Sequence, residues 1–81
     1  MMTLEQIIVS ESNAPKGGQF GLDACRQSIL SQLEIAEKYG DNKTLKTMLD
    51  EFVNRANNER FFNKTMVLAC WQLIQEQGGA K

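Results

Sequence analysis

Eighty-one residues, with nine Lys and Arg against ten Asp and Glu, make at most one domain of net charge −1. The charges are spread so evenly that no segment forms the basic arm from which nucleic-acid binders draw most of their affinity. Two cysteines and no histidine argue against a disulfide framework, a metal site and a thiol paired with a general base.

A chain of this size buries only about 60% of its unfolded surface, so it folds with little margin. Self-association would add buried apolar area, which makes a homo-oligomer one expectation. Met1–Val9 lacks a basic leader and is too short an apolar run for a signal peptide. The longest unbroken apolar run, Met66–Trp71, is six residues, against about twenty for a membrane span. These features predict a cytoplasmic protein without a membrane span. They also predict that Cys25 and Cys70 are reduced and buried as small hydrophobes.

Thr3 and Gln6 are spaced as a capping box, followed by Leu4, Ile7 and Ile8 on one face. A short helix to about Ser10 or Glu11 follows from this, too short to stand without something to pack on. Ser12–Gly21 holds the only proline and three of the six glycines and reads as a loop, with Phe20 pinning it to the core. Leu22–Tyr39 reads as a second helix, because Leu22, Cys25, Ile29, Leu33 and Ala36 recur at spacings of three and four. Asp23 suits its first turn, Glu34 and Lys38 form an acid-before-base pair, and Gly40 suits its C-terminal stop.

Asp41-Asn42 opens a third helix, roughly Lys43–Ala56, with Leu45, Met48, Leu49, Phe52, Val53 and Ala56 on its apolar face and a Glu51–Arg55 pair. Asn57-Asn58 suits both its end and the start of a fourth helix running to about Gln77, where Gly78-Gly79 stops it and Ala80-Lys81 frays. No stretch alternates with period two, so no sheet is expected. Short connections make the second, third and fourth helices antiparallel neighbours. The expected fold is therefore all-α: a small antiparallel three-helix bundle over residues 22–77, with an additional short N-terminal helix over 1–11. Residues 12–21 are the loop between them, and 78–81 the tail.

The chemistry-bearing combinations reduce to ordinary structure. In Pro15-Lys16-Gly17-Gly18 the lysine precedes the glycines and no strand precedes the loop, so a connector fits better than a phosphate cradle. Asp50-Glu51 and Glu34/Glu37 read as solvated helix charges. Asn42-Lys43-Thr44 and Asn63-Lys64-Thr65 fit the glycosylation pattern but read as helix-start chemistry. The expectation is a non-enzymatic protein without cofactor or metal.

Phe61–Ile74 carries more apolar surface than one helix stripe requires. Phe62, Met66, Cys70 and Leu73 make one stripe, Val67, Trp71 and Ile74 a second, and Phe61 and Leu68 are left over. Such a helix either packs on all sides or offers its surplus face to another chain. The candidate partner-binding residues are Leu4, Ile8, Phe61, Leu68 and Trp71, with Arg60 and Lys64 as a charged rim.

The expected function is a small protein–protein interaction module acting as an inhibitor, adaptor or regulatory subunit of a larger protein. Phage-type regulators are one group of this size and inventory, a comparison that no motif here carries. The alternative is a nucleic-acid-binding regulator using Lys43, Lys46, Arg60 and Lys64, since cations and aromatics interleave between Arg60 and Lys64 as on single-strand stacking platforms.

Overall fold

The computed structural model describes the backbone of residues 1–13 and 17–79, and the side chains of these residues except 17–20 and 79. It is all-helical, with α1 at Leu4–Ser12, α2 at Gly17–Lys38, α3 at Leu45–Asn58 and α4 at Thr65–Gly79, and no strand among the described residues.

Local chemistry fixes most helix ends. At α1, the Thr3 hydroxyl accepts from the Gln6 N–H at 3.2 Å while Gln6 Oε1 accepts from the Thr3 N–H at 2.9 Å. At α3, Thr44 and Thr47 exchange the same pair of bonds at 3.2 and 3.1 Å, satisfying donors the helix itself leaves open. The start of α3 is thus Thr44-Leu45 rather than Asp41-Asn42, because a threonine three residues into the helix returns the bond usually made by Glu or Gln. Gly40 ends α2 as expected. At φ 78° it lets its N–H reach Glu37 O at 3.2 Å and the Asp41 N–H reach Ala36 O at 2.8 Å.

Two further boundaries differ from the sequence reading. α2 begins at Gly17, so the loop expected over 12–21 is shorter and Asp23 falls in the second turn. Glycine weakens a helix by about 1 kcal/mol relative to alanine without forbidding it, and a long packed helix downstream carries the extra turn. The role expected of Phe20 and the conformation of Ala14–Lys16 lie outside the described residues, as do Ala80 and Lys81. The second difference is at α4, which begins at Thr65 rather than near Asn57-Asn58. α3 runs through both asparagines and is closed by the Glu59 N–H on Arg55 O at 2.8 Å. Asn63 then prepares α4, its Oδ1 accepting from the Thr65 N–H at 3.1 Å.

α4 packs on each of the other three helices. Val67, Ala69 and Cys70 are fully buried on it, and Ile7, Ile29, Met48 and Phe52 approach from α1, α2 and α3. Most of the surplus apolar surface of Phe61–Ile74 is therefore taken up inside the chain. This includes Leu68, which was expected on an exposed face but is 7% exposed and buried in the fold. With neighbours from three helices, a stripe rotated from the main one still faces protein.

Among the described residues the ion pairs are Arg26–Glu76 at 2.8 Å, Lys46–Asp50 at 3.6 Å and Arg55–Glu59 at 2.8 Å. Arg55 thus turns forward to Glu59 and not back to Glu51. The expected Glu34–Lys38 pair is absent from this set. No helix of the described residues is long and apolar enough to cross a membrane.

Candidate functional site

Residues 59–64 join α3 to α4 and display the two adjacent phenylalanines in opposite ways. Phe62 turns inward, its ring 5.9 Å from that of Phe52 with the planes tilted by 31°. The Arg55 guanidinium lies over the Phe62 ring, 4.7 Å from its centre, while its Nε donates to Glu59 Oε2 at 2.8 Å. The ring contact with Phe52 and the guanidinium contact with Arg55 both tie the connection to α3. With Phe62 committed inward, Phe61 stands out at 90% exposure, and the Arg60 guanidinium lies 5.5 Å over its ring.

The neighbouring surface comes from the amino-terminal residues. Asn57 accepts from the Met2 N–H at 2.7 Å and donates to Met2 O at 2.9 Å, which holds this segment against the end of α3. Lys64 Nζ rests 3.9 Å from Met2 Sδ. Neither Arg60 nor Lys64 has a carboxylate within ion-pair distance among the described residues. The α3–α4 connection therefore presents an exposed aromatic ring with the Arg60 cation over it, and a second cation, Lys64, against Met2.

The other residues named from the sequence are distributed differently. Leu4 and Trp71 are half-buried and packed against the core, and Ile8 is half-buried on α1. Leu68 is internal. Of the seven candidates, only Phe61 and Arg60 are in the exposed class, and Lys64 is half-buried. Sequence reasoning overlooked Ile35, near the end of α2, and Tyr39, just beyond it, which are exposed four residues apart and lie off the buried stripe. Their signal was an apolar pair at helical spacing outside the Leu22–Ala36 register.

The four cations of the nucleic-acid alternative do not meet. Lys43 and Lys46 lie at the start of α3, and Arg60 and Lys64 lie beyond its end. The fourteen residues between those ends span roughly 20 Å at about 1.5 Å per residue. Lys46 is also paired with Asp50.

Both cysteines are free and buried. The Cys70 thiol donates to Leu45 O at 3.3 Å, and burial pushes its pKa up to about 11. Burial, and secondarily the Glu11 carboxylate, also raises the pKa of Cys25, whose sulfur accepts from Asn63 Nδ2 at 3.6 Å. Thiols so held are poor nucleophiles, because the thiolate is the reactive form. Among the described residues, no group of three or more Cys, Asp or Glu is placed to hold a metal ion. A surface depression of about 590 Å³ lies beside the α2–α3 connection, lined by Leu33, Glu37, Asp41, Lys43 and Gln77 among others.

No protein-family model, curated protein or solved structure matches this chain.

Proposed function

We propose that this chain is a non-enzymatic protein-binding module, an inhibitor, adaptor or regulatory subunit that docks through the surface around Phe61. In this reading α2, α3 and α4 form an antiparallel three-helix core and α1 is an additional cover. The protein works in the cytoplasm without a cofactor.

The observation that supports the reading is the contrast within one dipeptide. Phe62 packs on Phe52 with the Arg55 guanidinium over its ring, tying the connection to α3, while Phe61 is 90% exposed with the Arg60 guanidinium 5.5 Å from its ring centre. An aromatic side chain has only two rotatable bonds to fix when it enters a pocket, which suits it to be a binding hot spot. Arg60 and Lys64 beside it would speed encounter with an acidic rim more than they would strengthen the final complex.

The test is affinity capture from native extract with the wild-type chain and with Phe61→Asp, each with and without nuclease. A protein retained by the wild-type chain, insensitive to nuclease and lost with Phe61→Asp is the expected result. Identical capture by both chains, or capture that collapses with nuclease, overturns the reading.

A further inference from the structure

The two adjacent phenylalanines each carry an arginine, and only one of these pairs is complete. Arg55 lies over Phe62, 4.7 Å from the ring centre, and donates to both oxygens of Glu59 at 2.8 and 3.2 Å. Arg60 lies over Phe61 at 5.5 Å and has no carboxylate within ion-pair distance among the described residues. The same holds for Lys64, whose Cα is at most about 11 Å from that of Phe61, the reach of three residues of chain. Residues 55–64 hold Arg55, Arg60 and Lys64 against Glu59, a net charge of +2, while the rest of the chain carries −3. The cationic surplus of the molecule is thus concentrated in the segment that bears Phe61.

Resting on the docking surface around Phe61, we propose that its occupant is an acidic segment of a partner protein, an apolar side chain flanked by Asp or Glu. The partner's carboxylate takes the place on Arg60 that Glu59 takes on Arg55. An occupant that covers the Phe61 ring meets the guanidinium, or must push it off the ring and forgo the cation–π contact. A guanidinium that loses its water without gaining an acceptor opposes binding, so a partner without a carboxylate is rejected. One that brings it satisfies the planar fork of N–H donors while the arginine stays on the ring. A nucleic acid also offers anions, but its affinity needs several cations along the path of the strand. Here the strand would run from a stretch of +2 onto a chain that otherwise carries −3, whereas a short acidic segment ends where the cations end.

The test selects short peptides from a randomised displayed library on the full chain, with counter-selection on Phe61→Ala so that what remains depends on the ring. The expected peptides are rich in Asp and Glu around an apolar residue. A synthetic copy of one should bind Arg60→Glu at least about tenfold more weakly than the wild-type chain, and should bind the wild-type chain more weakly in high salt. Selection on the Arg60→Glu, Lys64→Glu double variant should return peptides rich in Lys and Arg instead. Phe61-dependent peptides without acidic enrichment, or binding that Arg60→Glu leaves unchanged, overturn the acidic partner and leave the docking surface standing. The absence of any Phe61-dependent peptide overturns both. Oligothymidine bound more tightly than the selected peptides, and lost with the double variant, overturns the proposal in favour of a nucleic acid. Arg60 is exposed, so Arg60→Glu keeps the fold and carries the test even where the change at half-buried Lys64 destabilises the chain.

Discussion

Asn57 and Met2, fifty-five residues apart, are joined as two strands of a sheet would be: Oδ1 accepts from the Met2 N–H at 2.7 Å and Nδ2 donates to Met2 O at 2.9 Å. The same Nδ2 also donates to Val53 O at 3.1 Å, one turn back on α3. The side-chain amide thereby ties the segment ahead of α1 to the helix that precedes Phe61.

Asn57→Ala removes both bonds while leaving the Met2 backbone partly buried. At about 0.5–1.5 kcal/mol per hydrogen bond, the expected loss is about 1–2 kcal/mol. A lowered Tm by circular dichroism with unchanged helical amplitude below the transition checks it. No change in Tm would mean that water replaces Asn57 without cost.

Leu68 and Phe61 should differ sharply in their response to truncation. Leu68→Ala opens a cavity at a residue 7% exposed and should destabilise by about 2–5 kcal/mol. Phe61→Ala, at a residue 90% exposed, should stay within about 0.5 kcal/mol of wild type. Urea unfolding of the two variants decides the point. A large loss from Phe61→Ala would place that ring in the fold rather than on a docking surface.

The thiols give a pH dependence on the alkaline side. Burial raises Cys70 from an ordinary value of 9.0 to about 11, so the folded state keeps its proton where the unfolded state gives it up. Stability from this group is complete below pH 9.0 and is lost as pH rises towards about 11. Cys70→Ala should flatten that decline relative to the loss seen below pH 9. At pH 8 a thiol reagent should react with native protein only as fast as it unfolds, and stoichiometric labelling of the folded chain would contradict the buried placement.

Arg26 donates to Glu76 at 2.8 Å and to Gln72 at 3.2 Å, bridging α2 to α4. The hydrogen bond from Arg26 lowers the pKa of the Glu76 carboxyl below its ordinary 4.5. The pair therefore contributes stability above about pH 4.5 that disappears as pH falls through the lowered folded value. Glu76→Gln should reduce Tm slightly at neutral pH, and the difference from wild type should close in acid and in high salt. A difference that persists at pH 3 would assign the effect to packing.

Legibility in the sequence followed how local the cause was. The Thr3–Gln6 box, the Gly40 stop and the Leu45–Met48–Leu49–Phe52 face each rest on residues within a turn or two of one another, and each is present. The starts of α2 and α4 were less legible: α2 runs through Gly17-Gly18, which ordinarily break a helix, and α3 runs through Asn57-Asn58, leaving the start of α4 to Asn63 and Thr65. Surplus apolar surface on Phe61–Ile74 was visible, but not its disposal. Leu68 became internal because α4 has three neighbours. Phe61 became external because Phe62 takes the inward place beside Phe52. Residue type alone cannot decide which of two adjacent phenylalanines turns in.

The most direct measurement is photo-crosslinking in native cells, with p-benzoylphenylalanine in place of Phe61 and, as control, in place of the exposed Glu34 on α2. A discrete protein adduct formed from position 61, resistant to nuclease and absent from position 34, is the predicted result. The same adducts from both positions, or none from position 61, would contradict a docking surface centred on Phe61.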